Sequence, residues 1–201
     1  MWECLKVIFL TFWGTPAQHG SLSNMRELVR RLQVDKNVKV FNVGDEFIMH
    51  AFKAHLAASI CSLLKLKSMS DTLPHQNSVE WLHSTAEQLV SDTLMPTSSA
   101  DPVFEMHRTF LHIAFLYVDL REAIRYENGP HIIRLWKLWL PRFIGTGRRN
   151  YACEAIHLLT NLLADLPKHL AYIAMHNRTV NSTGKLGHGK PFDQLVEHYN
   201  L

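Results

Sequence analysis

Asp193 and Glu197 stand four positions apart, a spacing that puts both carboxylates on one face of a helix, where such a pair can hold Mg²⁺ for hydrolysis or strand transfer. Strand-transfer enzymes of the ribonuclease H type need at least one further carboxylate on a central sheet, and no segment of this chain reads as that sheet. The same acids, just after Pro191, also suit the positive end of a helix dipole with no catalytic part to play. Two Glu-x-x-His pairs, Glu80 with His83 and Glu154 with His157, have the spacing by which one helix face offers two metal ligands. In a carboxylate-bridged bundle, Glu46 and Glu105 would supply the lone carboxylates of the alternating helices. With ten glutamates and thirteen histidines in 201 residues, two such pairs arise readily by chance, so neither a metal nor a cofactor is expected. Cys153 beside Glu154 and His157 lacks a nucleophile elbow, and Gly184-x-x-Gly187-x-Gly189 lacks the preceding strand and the Gly-Lys-Ser/Thr of a phosphate loop. This chain alone is therefore expected to be non-catalytic.

Cations make the second constellation. Arg134, Lys137, Arg142, Arg148 and Arg149 are interleaved with Trp136, Trp139, Phe143 and Tyr151, and nucleic acid uses such cations on phosphates and exposed rings on bases. The competing reading makes Trp136 and Trp139 core and the cations a solvated opposite face. Arg178, Lys185 and Lys190 follow in a Gly-rich loop, and the expectation is that both loops share one basic face.

Composition limits the classes. A chain of 201 residues, 47% apolar and 19% charged, fits a single globular domain over residues 1–201 with a core of its own. Three cysteines without close pairing, Cys4, Cys61 and Cys153, argue against a disulfide framework or zinc ribbon and for a reducing, intracellular setting, nuclear or cytoplasmic. A net charge of +3 neither demands nor excludes a polyanion, so the sequence admits nucleic acid or protein as partner. The N-terminal apolar run has no basic leader or small-residue cleavage site, and no window reaches the roughly 18 apolar residues of a membrane span, so no membrane partner is expected.

The elements that must position these residues read as helices. Residues 1–13 read as a buried helix or, over residues 7–13, as a buried strand, with helix the preferred reading, and residues 38–43 are the other strand candidate. Ser21 or Asn24 caps a helix with Leu22, Met25, Leu28, Val29 and Leu32 on its inner face, and Asp45 and Glu46 open a long helix to Leu66. Asn77 and Glu80 resemble a capping box for a helix burying Val79, Leu82, Ala86, Leu89 and Val90. The Pro96 segment is a loop. Asp101-Pro102 starts a helix that is apolar nearly all round over residues 110–120 and ends at Asn128-Gly129, which makes residues 104–124 the buried centre. Pro130 starts a helix that Pro141 stops, Asn150 caps one over residues 151–166, and a short helix over residues 168–175 follows. The expected fold is all-α, seven to eight helices around that centre with at most one or two short strands.

One series of residues carries a resemblance. Leu140-Pro141, Phe143, Gly147, Arg148, Asn150-Tyr151 and Glu154, then His176-Asn177, Val180-Asn181, Gly184, Asp193, Glu197-His198 and Asn200, resemble an uncharacterised eukaryotic family of fungi and invertebrates, domain of unknown function six-five-eight-nine. The likeness is densest over residues 130–200. It implies a transposon-derived ancestry and a parent protein longer at both ends. The polar part of the set, Asn150, Tyr151, Glu154, Asn177, Asn181, Asp193, Glu197, His198 and Asn200, is expected to tie the loop over residues 178–190 to the helix at Tyr151 through caps and side-chain hydrogen bonds.

Overall fold

Asp101 fixes the start of the longest helix. In the computed structural model its Oδ1 accepts from the N–H groups of Val103 at 2.9 Å and Phe104 at 3.3 Å, and Pro102 follows with its φ already helical, so α5 (Pro102–Arg125) begins where the sequence puts it. Its centre is buried as the mostly apolar run requires, from Phe110 and Leu111 through Tyr117 to Leu120, while His112 and Asp119 within the run are exposed. The structure describes residues 1–68, 70–71, 78–94 and 101–191. Among them are eight α-helices, one π-helical turn and a single pair of two-residue strands, and the fold is all-α. The chain divides into two compact units, Ile8–Phe115 and Met1–Val7 with Leu116–Leu201, the division falling inside α1 (Trp2–Phe12) and inside α5.

In the N-terminal unit, α2 (Leu22–Leu28) is capped by Ser21, whose Oγ accepts from Asn24 N–H at 3.1 Å and donates to the Thr15 carbonyl at 2.8 Å. Long α3 (Phe41–Leu63) and α4 (Val79–Leu94) follow. Aromatic contacts close the core: Phe12 meets Phe110 edge-on at 5.4 Å and Phe52 meets Phe115 edge-on at 4.9 Å. The strand candidates fail, because residues 2–12 are helical and Phe41 already lies in α3, four positions before the acids expected to open it. Helix α2 stops at Leu28, so Val29 and Leu32, expected on its inner face, lie beyond it and are exposed, as is Leu28; Val79, Leu82 and Val90 are also exposed, so the apolar stripes of α2 and α4 are only partly covered. The cap described for α4 is Ser78, whose Oγ accepts from Trp81 N–H at 3.1 Å; Asn77 and Pro96 lie outside the described residues.

Helix α3 ends without glycine. Leu66 N–H reaches the Cys61 carbonyl at 2.8 Å and Lys65 N–H the Ser62 carbonyl at 3.2 Å, which forces Lys65 to φ 55°. A side chain there costs about 1 kcal/mol or more, so Lys65→Gly is expected to raise the urea midpoint by about that stability, and an unchanged midpoint counts against this cap.

The C-terminal unit contains α6 (Gly129–Gly145), α7 (Arg149–Thr160), a π turn (Asn161–Asp165), α8 (Lys168–His176) and the antiparallel strands β1 (Thr179–Val180) and β2 (Lys190–Pro191), with Thr179 opposite Pro191. Ile133, Leu159, Leu162 and Ala171 form one core cluster among α6, α7, the π turn and α8. Pro141 does not stop its helix. Proline removes the bond to the carbonyl four residues earlier, here that of Lys137, and both residues are exposed, so water can serve the orphaned oxygen while Trp139 and Phe143 stay fully buried. The stop comes at Gly147, φ 71°, where Arg148 N–H bonds the Phe143 carbonyl at 2.8 Å. Asn128 does not end α5; it caps α6, accepting from His131 N–H at 3.2 Å, and Glu127 takes the left-handed position at the end of α5 with φ 57°. Helix α7 begins at Arg149, so Asn150 lies inside it rather than capping it.

Candidate functional site

The exposed positions of α6 are Arg134, Lys137, Leu138, Pro141, Ile144 and Gly145, which at 100° per residue occupy one face of the helix. Opposite them, Trp139 and Phe143 are stacked with centroids 6.0 Å apart, and Trp136 is half-buried beside Phe143 at 5.8 Å. The rings therefore anchor α6, and only Tyr151, 41% exposed at the start of α7, offers an aromatic face beside the cations. Among the described residues Arg134, Lys137, Arg142 and Arg149 make no ion pair, whereas Arg148 lies 3.4 Å from the largely buried carboxylate of Glu3.

The two loops do not share a face. The strand pair and its loop sit on the end of α5: Gly189 N–H donates to the Arg125 carbonyl at 3.0 Å, and Arg125 Nε donates to the Gly187 carbonyl at 3.3 Å. Gly129, first residue of α6, lies against the backbone of Met175, at the end of α8. Arg148 and Arg149 follow the other end of α6, which at 1.5 Å per residue over 17 residues is about 25 Å away. Lys185 and Lys190, both exposed, thus form a separate patch, with half-buried Arg178 at its base. Asn181 orders that loop, but not through Tyr151: its Nδ2 donates to Glu127 Oε2 at 3.2 Å and to the Lys185 carbonyl at 2.9 Å, and its Oδ1 accepts from Thr183 Oγ1 at 3.0 Å. Asn150, Glu154 and Asn177 are exposed, and Asp193, Glu197, His198 and Asn200 lie outside the described residues.

Neither Glu-x-x-His pair is built as a ligand set. Glu80 is on the surface of α4, its carboxyl held below the usual range by its own backbone N–H and by Ser78, while His83 pairs instead with Glu87 at 3.4 Å. Glu154 and His157 are exposed on α7, in the other unit. Glu46 is bonded to Arg31 at 2.7 Å on the surface and Glu105 to the buried Arg108 at 2.9 Å, so both lone carboxylates are committed to ion pairs. Among the described residues no group of three or more His, Cys, Asp or Glu is placed to hold a metal ion. Burial pushes the Cys4 thiol up to about 11, which leaves it protonated and inert at neutral pH.

The most unusual polar cluster is one that spacing did not reveal. His55 on α3 and His107 on α5 are half-buried, with their rings stacked at 4.7 Å and their Nδ1 atoms 2.5 Å apart. Ser59, one turn after His55, places its Oγ 2.8 Å from His107 Nε2 and donates to the His55 carbonyl at 3.1 Å. Burial first, and then the neighbouring His107, lowers the His55 pKa to about 4; burial also lowers that of His107. The cluster separates two open cavities, of about 280 Å³ beside Gly20 and Asp101 and about 470 Å³ beside Ser62 and Asp92. The only sequence signal was His55 and Ser59 at i, i+4 on a helix; its partner lies 52 positions away.

The family of unknown function DUF6589 matches over residues 1–201. The chain belongs to that family. No curated protein and no solved structure matches it. Within this DUF6589 chain, no described helix is long and apolar enough to cross a membrane.

Proposed function

We propose that this DUF6589 chain is a non-catalytic helical module that binds nucleic acid along the solvent face of α6 and the corner leading into α7. The observation that carries the reading is the strip of cations with no carboxylate partner among the described residues, Arg134, Lys137, Arg142 and Arg149, with Tyr151 exposed beside Arg149. Phosphate contact needs mobile, unpaired cations, and ion-paired ones would first have to leave their partners. Arg148, held by Glu3, is accordingly a minor contributor. A transposon-derived ancestry and an intracellular place, nuclear or cytoplasmic, fit the same reading.

The test is the salt dependence of binding to duplex and single-stranded DNA. Removing one cation from a phosphate lowers the slope of log K against log salt by roughly 0.9 on duplex and 0.7 on single strands. Arg134→Ala with Lys137→Ala is expected to reduce the duplex slope by about 1.8, Arg149→Ala by about 0.9, and Arg148→Ala by less. Lys185→Ala with Lys190→Ala, at the distant patch, is expected to leave it unchanged. Unaltered slopes in the α6 variants reject the reading, as does metal-dependent nicking of DNA by the purified chain.

A further inference from the structure

We propose that His55 and His107 form a binding site for one imidazole-preferring divalent cation, zinc or copper, that bridges α3 to α5. The argument starts from hydrogen bookkeeping. Ser59 has one hydroxyl proton, and donated to the His55 carbonyl at 3.1 Å it leaves Oγ free to accept from His107 Nε2–H at 2.8 Å. His107 is then the tautomer whose Nδ1 lone pair is bare, and that lone pair faces His55 Nδ1 at 2.5 Å. Two imidazole nitrogens aimed at each other this closely share a single proton, and a cation can take the place of that proton.

The surroundings fit the exchange. A ligating histidine is generally oriented by a hydrogen bond from its other ring nitrogen, and Ser59, itself fixed to backbone, supplies that bond to His107. Metal–nitrogen distances of about 2.0–2.1 Å in tetrahedral geometry set the nitrogens roughly 3.3 Å apart, so the rings must open by about 0.8 Å. The 280 Å³ cavity that both histidines line leaves room for that movement and for water in the remaining coordination positions. Asp101, whose Oδ1 caps α5, lines the same cavity and offers an acceptor for a bound water. Carboxylate is absent from the pair itself, which selects against Mg²⁺ and Ca²⁺ and for metals that favour imidazole. The contact spans 52 positions of sequence, so the cation would staple α3 to α5 and raise stability by mass action.

The experiment uses the intact chain, freed of metal with EDTA and titrated with Zn²⁺ by calorimetry, with the thermal midpoint followed in parallel. One saturable equivalent and a rise in midpoint are expected. His55→Gln and His107→Gln each abolish that equivalent, and Ser59→Ala weakens it by about tenfold because His107 loses its orienting bond. His83→Gln and His157→Gln, two surface positions, leave it intact, which separates the site from background binding by other histidines. Should a histidine variant fail to fold, the wild-type chain loaded with Cu²⁺ still decides the matter. Hyperfine coupling to two imidazole nitrogens is expected in its electron paramagnetic resonance spectrum, and coupling to fewer than two overturns the site. Absence of a one-equivalent site, or its survival in both histidine variants, also overturns it. DNA binding through α6 does not enter any of these readouts, so the two readings stand or fall separately.

Discussion

Gly129→Ala is expected to lower the stability of the C-terminal unit by about 3 kcal/mol or more, while Gly145→Ala, in the last turn of the same helix, is expected to raise it by about 0.5–1 kcal/mol. A Cβ at Gly129 would overlap the carbonyl oxygen of Met175, stand 2.7 Å from its carbonyl carbon and 3.2 Å from the Cα of His176. Those atoms are backbone and cannot rotate aside, so the start of α6 and the end of α8 would have to separate, disturbing the cluster of Ile133, Leu159, Leu162 and Ala171. At Gly145 nothing lies within 4 Å, and only the ordinary preference of helices for alanine acts. Urea unfolding followed by tryptophan fluorescence reports on both, since Trp136 and Trp139 lie in α6. Opposite signs at the two glycines are the expected result. Equal midpoints for Gly129→Ala and wild type would show that α6 does not approach α8 this closely.

What the sequence revealed follows from where local forces dominate. The start of α5 was legible because its cap is a local arrangement, Asp101 before Pro102, and its buried centre because a mostly apolar run this long admits few alternatives, whereas its end was placed three residues too late. Ser21 was legible as a cap for the same reason. Pro141 misled because the cost of a helical proline depends on whether the stranded carbonyl reaches water, which is a matter of which face is exposed. The stripes of α2 and α4 misled because an apolar face states what could be buried, and only tertiary contacts decide how much of it is. At the candidate site, the exposed cations on α6 and the buried rings behind them were both weighed from spacing, and the structure assigns each to its face. The separation of the Lys185 patch from Arg149 was illegible, because it depends on α6 lying between them. So was the histidine pair, since no periodicity links His55 to His107 across 52 positions.

Acidification of the metal-free chain is expected to cost the N-terminal unit about 2 kcal/mol between pH 6.5 and 4 through this pair alone. His55 is held neutral with its pKa lowered from 6.5 to about 4, and His107 shifts in the same direction. Below the unfolded value of 6.5 the unfolded chain therefore binds more protons than the folded one, so stability is full above 6.5, falls with pH, and levels off below about 4. The whole shift would correspond to roughly 3 kcal/mol, and the smaller figure allows for solvent reaching the half-buried rings. The groups facing the pair are Ser59 from α3, Asp101 before α5 and Asp92 from α4 across the larger cavity. Protonation of both rings would set two cations against each other, and α3 and α5 would be pushed apart. Urea midpoints at pH 7 and 4.5, with EDTA present, give the loss for wild type and for His107→Gln. Protonation of carboxylates elsewhere affects both proteins equally, so the difference between the two losses isolates the pair. A smaller loss in His107→Gln is expected, because His55 then keeps a neutral neighbour at every pH. Identical losses in the two proteins would mean that the imidazoles are not coupled across α3 and α5.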